Sequence, residues 1–571
     1  MYVSASLAVQ WARNSRLRKV AMRLRIHQIS LKLDYEKPDV LSAIARLLNC
    51  REDVLGQLVL LRRSIDARGV DAQPRFVLSV EVDYVSESAP PLKPGRVEVV
   101  GEPESLPAIP RVTPREHRPV VVGAGPAGLM AALTLAEAGA KPLLVERGAQ
   151  VEIRGHQVET FWQEGVLNLE SNALYGEGGA GLFSDGKLTA RSKDRGAIRH
   201  LFQMLVDLGA SPDILIDAEP HLGSDVLGHI MPKLRNRICE LGGELRFDAR
   251  LERLHIEDSA LRGMVVTDAR CSGEEIATDT CFLATGHSAR DVYAMLAEAG
   301  VPLAAKPFAV GVRAEMPQSR LNVAQYGTWA THPKLKSASF RLTRKAGSTT
   351  RACYSFCACP GGIVIACASS DGMLTTNGMS YSSRAKPFGN AAMLVPVGPD
   401  DYPSGLQHAA LAGVGLQRTL ERRAFLAAGG DYSLPAQSLI DFLENREPSG
   451  IPAARSCDRA VPADVASLLP DEVAMTLRTT LPKMLRELNG IRHEDVLLYG
   501  VETRSSSPVR ISRDPVTGQS TGVRGLYPIG EGSGYTGGIV SSALDGMSSA
   551  RLALQSSTYL RGHPKSAHTG G

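Results

Sequence analysis

Hydrophobic and polar positions alternate from residue 22 onward in a pattern that predicts a small α/β domain over residues 22–86. The run RLRIHQISLKL has the alternation of a half-buried strand. The run DVLSAIARLL places Val40, Ile44 and Leu47 on one face of a short amphipathic helix. The runs VLLRRSIDA and RFVLSVEVDY predict two further strands, and this domain contains no residues with catalytic spacing.

Segments with little hydrophobic pattern flank this domain. Residues 87–114 are rich in proline, so we predict a linker with one edge strand near 96–100. Residues 1–21 are basic and contain no acid, which is typical either of a targeting helix or of a poorly ordered extension, and we favour the extension. The tail 561–571 is also predicted to be disordered.

From residue 115 the pattern changes to a buried strand, a glycine-rich loop, a helix and a second strand. This order is typical of a dinucleotide-binding domain. A chain of 571 residues is too long for a single core. We therefore predict a discontinuous nucleotide-binding domain from residues 115–300 and 491–560, with residues 301–490 inserted as a mixed strand and helix segment that covers the site.

The strongest motif is RPVVVGAGPAGLMAALTLAEAGAKPLLVERG, in which Gly123, Gly125 and Gly128 form G-x-G-x-x-G. The first glycine permits a tight turn, the second lets the backbone approach a pyrophosphate, and the third allows close packing of helix and strand. The helix predicted over Ala127–Ala138 would direct its N-terminal amides and dipole at the phosphates, and we include Pro126 and Ala127 among the predicted cofactor contacts.

The second strand ends in Glu146, followed by Arg147. A carboxylate at this position accepts hydrogen bonds from ribose hydroxyls and repels a 2′-phosphate, so FAD or NAD is favoured over NADP. We include both Glu146 and Arg147 among the predicted cofactor contacts.

The GAGPAGL and VERG runs resemble the FAD-binding element of the glutathione reductase and aromatic hydroxylase superfamily. Proteins of that superfamily carry a later A-T-G strand and a C-terminal glycine–acid motif. Here the sequence has Ala-Thr-Gly ending at Gly286, and Gly530 followed by Glu531. A helix predicted over 539–552 would start at Ile539, after Gly537 and Gly538, and direct its positive dipole end at the flavin.

Within this superfamily, the chain resembles a family of uncharacterised FAD-dependent dehydrogenases more specifically. The runs that carry this resemblance are GEGGAGLFSDGKLTAR, ATGHSARDVY, KPFAVGVRAE, CPGG and GEGSGYTGGI. The resemblance covers nearly all of the chain from about residue 22. It implies an α/β fold with a glutathione-reductase-like FAD/NAD(P)-binding Rossmann domain, an inserted α+β substrate domain and a small N-terminal α/β domain. It also implies that Gly178, Gly179, Ser184 and Asp185 pass beside the FAD.

Flavin chemistry needs no protein nucleophile, so the candidate catalytic residues are those that orient a substrate or carry a proton. His287 follows the A-T-G strand and is a candidate general base. Ser288 and Asp291 fit a helix capping box, and this structural role is sufficient to explain both residues. It does not explain the neighbouring Arg290, which therefore stays a catalytic candidate. Several other polar residues could bind an anionic substrate or form ordinary ion pairs: Lys306, Arg313, Asn377, Arg384 and Arg504. We include Arg313 with His287 and Arg290 as catalytic candidates.

The nine cysteines are scattered along a chain without a secretory signal, which indicates reduced thiols and a cytoplasmic location. Four of them form C-x3-C-x-C-x7-C at positions 353, 357, 359 and 367. A dithiol relay or a metal site at these cysteines is an alternative. The spacing fits no common metal site, however, so we favour small buried cysteines in a β-hairpin and predict no bound metal. The region after the glycine motif lacks the cysteine pair of glutathione reductase.

Charge and hydropathy limit the partners. The net charge of +4 argues against nucleic acid as the main partner, and the chain has no apolar run long enough to cross a membrane. A small-molecule substrate is expected, and the N-terminal domain could serve packing, self-association into a homo-oligomer or partner binding.

These patterns predict an FAD-dependent oxidoreductase, with a dehydrogenase favoured. The alternatives are a flavin monooxygenase that uses NAD(P)H, an RNA-linked flavoprotein, and a flavin-binding protein without catalysis. The sequence has no second G-x-G-x-x-G, so any NAD(P)H is expected to bind only transiently.

Overall fold

The computed structural model describes residues 20–68, 73–101, 108–189, 192, 194–268 and 273–556. The predicted tail 561–571 and the predicted extension up to residue 19 lie outside these residues. The chain divides into two compact units. The smaller comprises the residues up to 105 with 215–220 and 332–334, and the larger comprises the remainder.

The smaller unit is an antiparallel sheet with a helix. Its elements are β1 (Val20–Lys32), α1 (Lys37–Leu48), β2 (Leu55–Asp66), β3 (Arg75–Ser86) and β4 (Val97–Val99). The strand order is β2-β3-β1-β4, and α1 buries Val40, Ile44 and Leu48. Two predicted domain boundaries differ from the structure. Strand β1 begins at Val20, inside the predicted extension 1–21. The edge strand β4 lies within the predicted linker 87–114 but pairs with β1, so it belongs to the sheet of this unit.

The larger unit contains the remaining elements. The strands are β5 (Val120–Val122), β6 (Leu143–Val145), β7 (Glu244–Arg246), β8 (Ala249–Glu257), β9 (Ala260–Asp268), β10 (Glu274–Ala277), β11 (Cys281–Leu283), β12 (Leu303–Ala305), β13 (Phe308–Pro317), β14 (Thr343–Arg344), β15 (Cys353–Cys367), β16 (Thr375–Met379), β17 (Phe388–Val397), β18 (Leu434–Ser438), β19 (Ala460–Pro462), β20 (Leu497–Glu502), β21 (Val509–Ile511) and β22 (Leu526–Pro528). The helices are α2 (Pro126–Glu137), α3 (Val151–Glu164), α4 (Arg195–Asp207), α5 (Ser224–Glu240), α6 (Arg290–Glu298), α7 (Gln318–Tyr326), α8 (Ala412–Ala427), α9 (Leu439–Glu444), α10 (Asp471–Leu485) and α11 (Ile539–Gln555).

A parallel sheet with the order β22-β11-β5-β6-β7 forms the centre of the nucleotide-binding part. Its central strands are fully buried runs of apolar residues, as expected for a parallel sheet covered on both faces. Helices α2 and α11 pack closely, because a Cβ at Gly546 would stand 2.0 Å from the Ala127 carbonyl oxygen. The two sequence-distant segments predicted to form one domain therefore share this sheet.

The inserted segment forms a second, mixed sheet with the order β14-β15-β17-β13-β20-β18-β19, and β16 pairs with β15. The predicted boundary at residue 491 is wrong for β20, which pairs with β13 and β18 and so belongs to this sheet. The predicted hairpin over 353–367 is also wrong. These residues form the single long strand β15, which is irregular at two points in its pairing with β17.

Candidate functional site

The carboxyl ends of β5, β11 and β22 meet at a cavity of about 420 Å³, the size of a small-molecule site. In open parallel sheets, ligands bind at this edge. The cavity is lined by His287 and by all but two of the predicted cofactor residues: Gly123, Gly125, Pro126, Ala127, Glu146, Arg147, Gly179, Ser184, Asp185, Gly286, Gly530, Glu531, Gly537, Gly538 and Ile539. Residues far apart in the sequence thus converge on one cavity.

The first and third glycines of the motif shape the backbone. Gly123 has a φ of +105°, which forms the turn after β5. A Cβ at Gly128 would stand 1.8 Å from the Gly123 carbonyl oxygen, so this position requires glycine for close packing. Gly128 does not line the cavity, and neither does Gly178, where a Cβ would stand 3.4 Å from the side chains of Leu182 and Met231. The structure therefore places these two predicted cofactor residues in the supporting backbone.

Other glycines leave bare backbone at the cavity wall. A Cβ at Gly286 or Gly538 would meet nothing within 4 Å, and one at Gly125 would meet only the Gly179 Cα, at 3.8 Å. The space that side chains would otherwise fill is open beside the N-termini of α2 and α11. Backbone amides and helix dipoles at such ends favour a negatively charged ligand, so these residues fit a dinucleotide such as FAD.

Glu146 is buried at the end of β6 and holds the loops around it. Its carboxylate accepts hydrogen bonds from the backbone N–H groups of Ala124 (2.7 Å), Gly148 (2.9 Å) and Gly176 (3.0 Å). Because each carboxylate oxygen has further acceptor capacity, Glu146 can still accept a ribose hydroxyl from the cavity. Its neighbour Arg147 is fixed by ion pairs to Glu170 and Asp291.

Sequence reasoning missed Arg154, a fully buried arginine on α3. Its guanidinium donates hydrogen bonds to the carbonyl oxygens of Asn172, Glu177 and Gly179, at 2.7–2.9 Å, and so fixes the glycine-rich loop at the cavity wall. A signal was present in the sequence, because position 154 lies on the buried helix face with Val151, Val158 and Phe161.

Asp185 and Lys187 lie at one side of the cavity. The buried carboxylate of Asp185 pairs with the buried guanidinium of Arg384 and lies 3.8 Å from the Lys187 ammonium. Lys187 also donates to the Ala358 carbonyl oxygen, at 2.5 Å. Ser184 lines the wall and donates to the Gly181 carbonyl oxygen, at 2.7 Å. Two cations thus share one carboxylate in the trio of Asp185, Arg384 and Lys187.

His287 and Glu531 face each other across the same wall, with Nε2 and Oε2 4.0 Å apart. Burial, together with the charges of Arg504 and Arg290, lowers the pKa of His287 to about 4. Burial raises the pKa of Glu531 to about 7. At neutral pH the imidazole is therefore uncharged, while the carboxyl group keeps a protonated fraction that an ordinary glutamic acid would lack.

Arg290 is not in the cavity lining, in contrast to its prediction as a catalytic residue. It is buried in an ion pair with Glu421, at 2.7 and 2.9 Å, and Arg504 binds the same carboxylate at 2.9 and 3.0 Å. Arg504 does line the cavity. The predicted capping box is also wrong, because α6 has Ala289 at its N-cap without a side-chain cap, and Asp291 pairs with Arg147.

Arg313 is likewise outside the cavity lining and fully buried. It forms a bidentate ion pair with Glu502, at 2.8 Å for both contacts, and donates to the Asn390 side chain at 2.9 Å. The structure therefore gives Arg313 a positioning role, behind Glu502 and Asn377, which do line the cavity. Lys306 is hydrogen-bonded to Ser506, and neither it nor Arg384 lines the cavity.

Cys357 also lines the cavity, although the sequence pattern predicted a buried structural thiol. Within the described residues, no group of three or more His, Cys, Asp or Glu side chains is placed to hold a metal ion. Among the helices of these residues, none has both the length and the hydropathy to span a bilayer.

Comparison with known proteins agrees with a flavin site. Residues 118–181 match the model of an FAD binding domain, and residues 307–505 match a family described as the C-terminal domain of an FAD-dependent protein. Residues 23–83 match a domain of unknown function. The second match includes β20, consistent with the observed sheet. These matches show that FAD is the cofactor.

Solved flavoprotein structures resemble the chain only distantly. A flavin-dependent brominase variant covers 77% of this chain and 82% of its own, at 11% identity and a TM-score of 0.36. Quinol fumarate reductase FrdA of E. coli covers 78% of this chain and 69% of its own, at 14% identity and a TM-score of 0.34. These scores support no inference about the reaction.

A relative from Clostridium beijerinckii, described as an uncharacterized protein, is far more similar. It is 39% identical over 545 residues, which cover 94% of this chain and 99% of the relative. The similarity extends over both compact units. The chain therefore belongs to the same family as this Clostridium protein, and it is an FAD-dependent oxidoreductase.

Proposed function

We propose that the protein is a dehydrogenase that exchanges a hydride between a small anionic organic substrate and the flavin. The observation that carries this proposal is one cavity that joins two kinds of wall. One wall is glycine-rich backbone at the N-termini of α2 and α11, and the other carries the polar side chains of His287, Glu531, Lys187 and Arg504. The first suits a dinucleotide and the second suits a polar substrate.

Four groups of residues would hold FAD. They are the G-x-G-x-x-G turn at 123–128, the Glu146 carboxylate, the loop at 179–185, and the C-terminal segment 530–539. When bound, FAD supplies a ring that accepts or donates two electrons. The protein has to orient the substrate, exclude water and provide for the proton that accompanies these electrons.

We assign the transfer of this proton to the pair of His287 and Glu531. Efficient proton transfer requires a group whose pKa lies near the working pH, and the pKa of Glu531, at about 7, meets this condition. The uncharged imidazole of His287, 4.0 Å away, can accept a hydrogen bond from the substrate or from the protonated Glu531. Ser288 Oγ lies 3.1 Å from His287 Nδ1 and helps to orient the ring.

The charge balance of the polar wall favours an anionic substrate. Arg290 and Arg504 share the carboxylate of Glu421, and Arg384 and Lys187 share that of Asp185. Each trio therefore has one positive charge in excess. Arg504 and Lys187 are the cations of these trios that line the cavity, together with the Asp185 carboxylate, and both have donor hydrogens in addition to those used in these ion pairs.

Anaerobic titration of the purified holoprotein tests this proposal. The oxidised flavin absorbance should persist with NADH or NADPH and should bleach with a member of a panel of hydroxy- or amino-carboxylates. Lys187→Gln should raise the concentration needed for half bleaching about tenfold, equivalent to about 1.4 kcal/mol of lost binding energy. The matched control Lys386→Gln changes an exposed lysine outside the cavity lining and should have no effect.

Two results would contradict the dehydrogenase. Rapid bleaching by NADH or NADPH would identify nicotinamide as the electron donor. If an aromatic compound also stimulated oxygen-dependent NAD(P)H consumption, the reaction would be that of a monooxygenase. A colourless protein that could not be reconstituted with FAD would contradict the assignment of the site itself.

A further inference from the structure

We propose that Cys357 and Cys359 form a redox-active dithiol that exchanges two electrons with the FAD. This function goes beyond the dehydrogenase proposed above and does not depend on its substrate. It rests on the position of the two cysteines in the cavity wall, on their contact with each other, and on the cations around them.

An irregularity in β15 turns Cys357 toward the cavity. The strand pairs regularly with β17 up to Phe356, and the register then shifts before Cys359, which pairs with Asn390. At this point Cys357 has a φ of +45°, in the left-handed region that non-glycine residues rarely occupy. Such bulges redirect side chains, and Cys357 joins His287 and Glu531 in the cavity lining.

Cys359 lies directly behind Cys357. It is fully buried, and its Sγ lies 3.3 Å from the Cys357 carbonyl oxygen. One thiol therefore faces the cavity while the second lies out of reach of solvent, two residues away. Neither residue is in a disulfide in this structure. A solvent-shielded partner thiol suits a pair that exchanges electrons with a cofactor instead of reacting with external thiols.

Cations surround the pair. Lys187 donates to the Ala358 carbonyl oxygen at 2.5 Å, and the buried Arg313 guanidinium lies 3.3 Å from the Cys357 carbonyl oxygen and 3.9 Å from Cys359 Sγ. Both positive charges stabilise a thiolate at Cys357, whereas Asp185 opposes it. Arg313, which sequence reasoning placed among the catalytic residues, thus acts on the thiols as a positioning residue.

The protonation of the two thiols differs accordingly. A hydrogen bond from the Cys359 thiol lowers the pKa of Cys357 to about 7 against the effect of burial, and the same interaction raises the pKa of Cys359 well above its usual range. Among the other cysteines that the structure describes, each pKa is raised, chiefly by burial. The pair thus combines a thiolate with a proton-carrying thiol, as dithiol chemistry requires.

The proposed step is balanced without a further reactant. When the S–S bond forms between the Cys357 thiolate and the Cys359 thiol, the pair releases two electrons and one proton. Bound oxidised FAD would take up the same two electrons and one proton to give its anionic reduced form, and the reverse step would break the S–S bond and return the proton to Cys359. Glu531 lines the same wall and is placed to accept or return a proton.

Counting electrons in the holoprotein tests this proposal. The protein is oxidised with ferricyanide, desalted and titrated anaerobically with dithionite, and its thiols are counted after denaturation with a maleimide. Two electrons are expected for FAD and two for a disulfide, so wild type should take up four electrons per FAD. Ferricyanide treatment should also remove two maleimide-reactive thiols from wild type.

The variants locate the disulfide. Cys357→Ser and Cys359→Ser should each take up two electrons per FAD and lose no thiols on oxidation. Cys239→Ser, at an exposed position on α5, should behave as wild type. Uptake of only two electrons by wild type without thiol loss would overturn the proposal, as would uptake of four electrons by Cys359→Ser. Failure of wild type to lose two thiols would overturn the proposal even if a variant fails to fold, and neither readout requires a substrate.

Discussion

Individual glycines around the cavity have two separate tasks. Gly123 and Gly128 are required by the backbone itself, through a left-handed φ and a contact that excludes a Cβ. Gly125, in contrast, has a φ of −76° that any residue can adopt and leaves space that the protein does not fill. Substitution of the first kind should affect folding, and substitution of the second kind should affect ligand binding.

Gly125→Val should therefore give a folded protein that has lost FAD. The new Cβ meets only the Gly179 Cα at 3.8 Å, but the valine methyl groups would occupy the space beside the first turn of α2. FAD affinity should fall at least about tenfold, or by about 1.4 kcal/mol, as measured by flavin content and titration with free FAD. Gly155→Ala is the control, because a Cβ there meets nothing and the residue lies on α3, outside the cavity lining. A Gly125→Val protein with stoichiometric FAD would contradict this placement.

The ionisation of Cys357 gives a second test at this scale. Its alkylation by iodoacetamide should accelerate as the pH rises through about 7, since the thiolate is the reactive form. Cys359→Ala removes the hydrogen bond that contributes most to lowering this pKa, so the midpoint should move to higher pH. Mass spectrometry of the alkylated peptide separates position 357 from the other cysteines. An unchanged midpoint would show that Cys359 does not stabilise the thiolate.

Among the elements, those defined by local sequence were predictable, and those defined by distant pairing were not. The strand, turn and helix around Gly123–Gly128 depend on residues close in the chain, and they were placed correctly. Long-range strand pairing explains the two wrong predictions in the inserted segment. The sequence near β20 does not indicate that this strand pairs with β13. The glycines in β15 favour a turn, but the strand continues along β17. Arg290 and Arg313 seemed available because Glu421 and Glu502, which neutralise them, lie more than a hundred residues away.

The ion pair of Arg313 and Glu502 connects strands β13 and β20, and its contribution to the free energy of unfolding can be measured. Because both groups are buried, Arg313→Met should lower the free energy of unfolding by about 3–5 kcal/mol, since it leaves a buried carboxylate without its partner. The double variant Arg313→Met/Glu502→Gln should lose less than the sum of the two single variants. Urea denaturation should give a coupling energy of about 0.5–3 kcal/mol.

The exposed pair Arg492–Glu494 is the matched control for this cycle. Its coupling energy should not exceed about 1 kcal/mol, because solvent screens exposed charges. Additive losses at Arg313 and Glu502 would mean that the two strands are held together by the remaining sheet contacts alone.

At the scale of the whole molecule, the nucleotide-binding sheet and the inserted sheet supply different halves of one cavity. The first contributes backbone and helix ends, and the second contributes Cys357, Asn377 and Glu502. The charged trios at Glu421 and Asp185 each combine side chains from both segments, since Arg290, Asp185 and Lys187 come from the first, whereas Glu421, Arg504 and Arg384 come from or beside the inserted sheet. FAD binding and the charge of the cavity are therefore coupled. In the FAD-free protein, the ionisation of groups in the cavity wall should appear in the pH dependence of the free energy of unfolding.

The pH dependence of unfolding of FAD-free protein should show two opposite contributions. His287 has a folded pKa of about 4, below its ordinary value of 6.5, so the folded state binds fewer protons than the unfolded state and stability rises with pH between 4 and 6.5. Glu531 has a folded pKa of about 7, above its ordinary value of 4.5, so stability falls as pH rises from 4.5 to 7. Each contribution is about 3 kcal/mol, and in wild type they largely cancel between 4.5 and 6.5.

Separate variants should expose each slope. Glu531→Gln should become more stable as the pH rises toward 6.5, since only the His287 contribution remains, whereas His287→Gln should become less stable over the same range. Urea denaturation at a series of pH values measures both slopes relative to wild type. If the two variants and wild type gave parallel curves, the paired imidazole and carboxyl group would not carry the shifted pKa values, and the proton-transfer role assigned to them would fall with that result.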